Sequence, residues 1–204
     1  MTTPRKLIFA TLGPGGSNHE FVLHRYLAFH RLRDCAQVEL ILDFHDGARR
    51  LVAGEIDYML QVAVHPEATT VVAAYRHAMF VIDAFVSGSR DMAVVCRNDV
   101  ARPAHLALQP ATTHYVDGSR YGTLIPEHSI GTIARGLLEG KYEAGITYAS
   151  LAAEHPERFR VLEPIGTVDD PWMLYGRVRV AHGATLACRE SAAARLFAEW
   201  RAGN

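Results

Sequence analysis

The chain has 204 residues, with 21 Lys and Arg against 22 Asp and Glu, for a net charge of −1. That balance excludes the basic surface nucleic acid requires and the acidic runs of disordered tails, and 49% hydrophobic residues supply a sizeable core for one large domain or two small lobes. Cys35, Cys96 and Cys188 are widely spaced without a Cys-x-x-Cys pair, and the eleven histidines show no HxH, HExxH or His-x3-His spacing, so neither a disulfide framework nor a metal site is expected.

Along the chain, Leu7 to Leu12 reads as a buried strand. The stretch "EFVLHRYLAFHRL" follows with helical spacing, placing Phe21, Leu23 or His24, Leu27, Phe29 and Leu32 near one face. Between them lies "TLGPGGSNHE", a strand-to-helix corner. Ser17 and Asn18 are good N-caps there, and Gly15 and Gly16 allow close backbone approach, with N–H groups turned outward to an anion such as a carboxylate. A plain capped turn fits the stretch equally well. The N-terminal apolar run is about six residues, too short for a signal peptide or membrane span, so a cytoplasmic protein is expected.

An internal echo comes next. "ARRLVAGEIDY" from Ala48 and "ARGLLEGKYEA" from Ala134 share Ala-Arg-x-Leu-x-x-Gly-x-x-acid at a constant offset of 86 residues, 48 to 134 and 57 to 143. Each reads as a short amphipathic helix closed by a glycine, Gly54 or Gly140, and followed by a strand. A weaker echo pairs "ATLGPGGS" with "LALQPATT". Repeated units of this kind predict an α/β chain of two lobes with a cleft between them. Residues 1–90 with 177–204 are assigned to the first lobe and 91–176 to the second, with Asp91 to Arg97 and Trp172 to Gly176 as crossover strands of a hinge. The C-terminal "CRESAAARLFAEWRA" predicts an amphipathic helix packed on the first lobe through Leu196, Phe197 and Trp200.

The order "LGPGGSNHE", "IDYMLQVAV", "HSIGTIARGLLEGKYEAGITYASLA" and "DDPWMLYG" resembles the prephenate dehydratase catalytic region over roughly Leu7 to Gly176. The resemblance implies a bilobal, type 2 periplasmic-binding-like fold with substrate in the interlobe cleft. It also shows departures. Dehydratases have Pro-x-Glu-Asn-Ser where this chain has Val62 to Pro66, and a Thr-Arg-Phe motif with a catalytic threonine where it has Pro171 to Met173. They usually continue into a regulatory ACT domain, and this chain ends about where that domain would begin. The short prephenate decarboxylases of bacilysin-type pathways are a closer likeness, since they lack the ACT domain and have a tryptophan near the position of Trp172.

If prephenate is the ligand, two carboxylates need holding. Gly15, Gly16, Ser17 and Asn18 could take one; His128, Ser129 and Thr132, or the Thr112-Thr113 turn, could take the other. Decarboxylation also needs apolar walls, for which Met59, Val62 and Trp172 are candidates, and a proton donor or polar anchor, for which His65, His45 and His19 are candidates. His65 leads because the resemblance puts it where dehydratases have their asparagine. Arg49 and Arg135 fit lobe-internal salt bridges. The resulting expectation is a cofactor-free lyase on prephenate or a close relative, a non-aromatising decarboxylase. The alternatives are a non-catalytic carboxylate-binding or sensing protein, a dehydratase-like enzyme with displaced catalytic residues, and an isomerase or other enzyme on a different small acid. The expected partner is a small carboxylate or dicarboxylate, with no metal, nucleic acid or membrane, and with a homodimer left open.

Overall fold

A computed structural model describes residues 5–180, 182, 183, 185 and 191–202. Cys188 lies outside the described residues. The first lobe opens with β1 (Leu7–Leu12), α1 (Asn18–Phe29), β2 (Ala36–Ile41), α2 (Phe44–Ala53), β3 (Tyr58–Val62), α3 (Ala68–Tyr75) and β4 (Phe80–Gly88). The second comprises β5 (Met92–Arg97), β6 (His105–Leu108), two 3₁₀ turns (Pro110–Tyr115 and Gly118–Arg120), β7 (Thr123–Pro126), α4 (Ile130–Leu138), β8 (Ala144–Tyr148), α5 (Ser150–Glu154) and β9 (Phe159–Gly166). The chain then returns through β10 (Asp169–Gly176) and reaches α6 (Ala192–Ala202).

The two sheets have matching plans. The first runs β2-β1-β3-β10-β4 and the second β7-β6-β8-β5-β9. In each, three parallel strands at one edge are followed by two whose mutual pairing is antiparallel. Parallel neighbours need helical crossovers, and these cover the faces. In the first lobe, α1 packs Val22, Leu23 and Leu27 with Leu60 and Trp172 on one face, and Phe44, Leu51, Met59, Val71 and Tyr175 fill the other. In the second, Ile133, Leu137, Tyr142 and Leu151 fill one face and Val94, Leu106 and Ile146 the other.

The echoed segments take equivalent places. Gly54 and Gly140 both adopt the left-handed conformation, at φ 80° and 75°, where a side chain would be strained. The echoed acids play the same part. Asp57 accepts the Ile8 N–H at 2.8 Å, and Glu143 accepts the Ala104 N–H at 2.7 Å. Each therefore ties the end of the unit to the chain entering the lobe's first parallel strand.

Four expectations need correction. The hinge is not formed by Asp91 to Arg97 and Trp172 to Gly176. Those segments are interior strands of opposite sheets, and the chain crosses instead at 89–91 and 167–168, where Ser89 N–H donates to the Val168 carbonyl at 2.8 Å and Val168 N–H to Ser89 Oγ at 2.9 Å. Because β10 pairs with β3 and β4, residues 169–176 belong to the first lobe, whereas the 91–176 boundary puts them in the second. Phe29 is 83% exposed, since two residues beyond Leu27 turn it to the opposite side of α1. Leu196, Phe197 and Trp200 of α6 are 63, 63 and 69% exposed rather than buried as core residues. No helix among the described residues is long and apolar enough to cross a membrane.

Candidate functional site

A cavity of about 170 Å³ opens at the lobe junction. The first lobe contributes the loop after β1 and the start of α1, the residues following β3, and β10; the second contributes the 3₁₀ turn after β6, the start of α4 and the end of β8. Parallel strands direct their carboxyl ends and the following helix starts to one edge of a sheet, so two such lobes facing each other form the cleft. Of the anticipated residues, Ser17, Asn18, His19, Val62, His65, Thr112, His128, Ser129 and Trp172 line this one cavity. Gly15, Gly16 and Thr132 do not, nor do Thr113, His45 and Met59.

The glycine turn is occupied by its own chain. Gly16 takes φ 79° and its N–H donates to Glu20 Oε2 at 2.5 Å; the Ser17 N–H goes to the Pro14 carbonyl at 3.2 Å. Ser17 Oγ accepts the Glu20 N–H at 3.3 Å and donates to the Leu12 carbonyl at 3.1 Å. "SNHE" is thus a capping box whose glutamate reaches one residue further back than usual. The Gly16 N–H is thus not available to an anion, and neither Gly15 nor Gly16 lines the cavity.

The start of α4 is different. Ser129 Oγ accepts the Thr132 N–H at 3.1 Å and bonds Thr132 Oγ1 at 2.9 Å, which accounts for Thr132 as a capping partner outside the cavity. Ile130 and Gly131 both line the cavity, and among the described residues no hydrogen bond uses their N–H groups. These are the free donors of a helix start, at the positive end of its dipole. Thr112 Oγ1 donates to the Gln109 carbonyl at 2.8 Å, so its hydroxyl holds the 3₁₀ turn.

Around His65 the rings gather. His19 lies edge-on to Trp172 at 5.1 Å, Phe44 is 4.9 Å from His65, and His19 is 6.1 Å from His65 between ring centres. Burial, with His65 nearby, pulls His19 down to about 3, and its Nε2 is buried without a hydrogen-bond partner among the described residues. Burial also lowers His65, against the opposing pull of Glu67. His65 Nδ1 accepts the Glu67 N–H at 3.2 Å, which puts the proton of the neutral ring on Nε2. Trp172 Nε1 donates to the Ser87 carbonyl at 3.3 Å and the ring is buried.

Sequence reading missed Asp170, Tyr115 and Tyr148, all lining the cavity. Asp170 was legible, because strand alternation puts it on the same face as Trp172. Burial raises its carboxyl, reinforced by Asp169, and burial raises Tyr115, with Asp170 adding to the effect. Burial pushes Tyr148 up to about 12. Among the described residues, no lysine or arginine lines the cavity. Arg49 pairs with Asp46 at 2.8 Å within the first lobe. Among the described residues, no cluster of three or more His, Cys, Asp or Glu could hold a metal ion.

No protein-family model and no curated protein matches the sequence. Solved structures do match in shape. A prephenate dehydratase from Arthrobacter aurescens in complex with L-Phe superposes at TM-score 0.63 and 20% identity, over 88% of this chain and 62% of that one. This chain thus spans less than two thirds of that protein's length. An ABC transporter from Parabacteroides distasonis gives TM-score 0.52 and 14% identity over 97% and 71% of the two chains, and a quorum-quenching acylase gives 0.51 and 13% over 89% and 66%. Likenesses at this identity speak for architecture, and with the paired sheets and junction cavity they establish that the chain has the bilobal type 2 periplasmic-binding-like fold.

Proposed function

We propose that the protein is a cofactor-free lyase that decarboxylates prephenate or a close relative without aromatising its ring. One observation carries the reading: the open N–H groups of α4 face a cavity without lysine or arginine, whose histidines His19 and His65 and whose Asp170 are all displaced toward their neutral forms. One carboxylate would sit on the Ile130 and Gly131 N–H groups, while the carboxylate to be lost would lie against the apolar walls of Val62, Met92 and Trp172. Poor solvation of that group favours its departure.

The bond from the ring carbon to its carboxyl breaks and carbon dioxide leaves. The electron pair moves through the adjacent ring double bond, and the far carbon takes up a proton. Asp170 is the proposed donor and is reprotonated from solvent; the His65 Nε2–H would hold the substrate's oxygen atoms. The ring hydroxyl stays, consistent with Pro171 to Met173 standing where dehydratases have Thr-Arg-Phe. The dehydratase likeness supports prephenate as the first substrate to try.

The test is incubation with prephenate at neutral pH, following carbon dioxide and analysing products by mass spectrometry. The expected result is enzyme-dependent carbon dioxide release with a product that has lost only that mass. Phenylpyruvate formation, which loses water as well, would overturn the reading in favour of a dehydratase; saturable binding without turnover would overturn it in favour of a binding or sensing protein. An Asp170→Asn variant should lose at least about tenfold in kcat, since a positioned general acid contributes that much or more.

A further inference from the structure

Arg90 lies in the first crossover, between β4 and β5, and does not line the cavity. It nevertheless reaches both walls. Its backbone N–H donates to Asn18 Oδ1 at 3.0 Å, and its guanidinium donates to the Gly16 carbonyl at 2.9 Å. The same guanidinium lies 4.1 Å from the centre of the Tyr148 ring, at the end of β8 in the second lobe. Among the described residues, no other arginine or lysine makes a contact that ties the first lobe to the second.

We infer that Arg90 is a positioning residue that fastens the start of α1 to Tyr148 across the lobe junction and so sets the width of the cleft. The Ser89–Val168 bonds join the two crossover segments to each other. The Arg90 guanidinium instead joins the Gly16 carbonyl of the first lobe to the Tyr148 ring of the second, so that opening the cleft breaks one of these contacts. A guanidinium suits this position because it donates in its plane to a carbonyl while its face covers an aromatic ring. Asn18 and Tyr148 both line the cavity, so the latch holds ligand-facing groups of opposite lobes in register.

Interlobe distance tests this without any turnover, so a failure of the proposed chemistry leaves the inference standing. Nitroxides on the exposed native Cys35 and on a Glu154→Cys substitution, in a Cys188→Ser background, report the separation by double electron–electron resonance; Cys96 is buried. Arg90→Met and Tyr148→Leu should each lengthen and broaden the distribution and weaken binding of cyclohexanecarboxylate, an inert ring acid, about tenfold. Tyr148→Phe, which keeps the ring, should match the parent distance, and Arg90→Lys should fall between. A parent-like distribution in Arg90→Met overturns the inference. If that variant does not fold, a parent-like distribution in both Arg90→Lys and Tyr148→Leu overturns it.

Discussion

The starts of α1 and α4 face one cavity from opposite lobes, and both carry a serine cap, yet they differ in what they have left to give. At α1 the Gly16 N–H is taken by Glu20 and the Ser17 N–H by the Pro14 carbonyl, and Asn18 Oδ1 accepts the Arg90 N–H. At α4 the cap is made by Ser129 with Thr132, and the Ile130 and Gly131 N–H groups remain open. A helix start is an anion site only when its own side chains leave donors unspent. The carboxylate is proposed to bind at α4, whereas α1 turns the buried, dry ring of His19 to the cavity.

The steepest response concerns that dryness. His19 sits at about 3 in the folded protein against 6.5 when unperturbed, so the unfolded chain binds the extra proton between those values. The stability associated with neutral His19 is complete above pH 6.5 and is lost as pH falls toward 3, to the order of 5 kcal/mol. His19→Phe should flatten the fall in denaturant midpoint over that interval. Parallel curves for parent and variant would show that the α1 wall is wet.

A smaller effect tests the open donors of α4. Ile130→Pro deletes one N–H at the first helical position, where proline is favoured, and Ser129 already has the extended conformation a following proline requires, at φ −153° and ψ 156°. Affinity for cyclohexanecarboxylate should fall by about 1.5 to 3 kcal/mol, the range for a hydrogen bond to a charged group, while stability changes by less than about 1 kcal/mol. Unchanged affinity in calorimetry would remove α4 from the site. Smallest is Glu20→Gln at α1, which should cost about 0.5 to 1 kcal/mol of stability through the weakened box and leave that affinity within a factor of about two. A marked gain in affinity would mean that Gly16 becomes an anion donor once freed.

The contrast also shows what is readable from residues alone. The offset-86 echo locates both repeated units, because glycine at a left-handed cap and an acid on a backbone N–H are roles only a few residue types can fill. The apolar content of β1 gives its bounds directly. The glycine turn is legible only in part: Ser17 stands out as a cap, whereas the reach of Glu20, three residues on in "SNHE", back to Gly16 does not. Lobe boundaries are misplaced from sequence because β10 and β5 are both apolar strands of central position, and composition does not tell which sheet a strand joins. Asp170 is hidden when "PWM" is taken as a motif and alternation along the strand is not followed. The Arg90 contacts join residues 16, 18, 90 and 148, a spacing with no local signature.

The return of β10 to the first lobe has a consequence during synthesis. In the first sheet β4 pairs with β10 alone, so a nascent chain that has emerged through residue 88 holds a strand with no partner until residues 169–176 appear. The second lobe, by contrast, is one uninterrupted segment from 92 to 166. Its sheet can close on the ribosome while the older half of the chain still waits, so the lobe begun first is the lobe finished last. Residues 80–88 are the stretch left exposed in the interval, and a chain truncated ahead of residue 169 would carry them as an unpaired edge ready to recruit another strand.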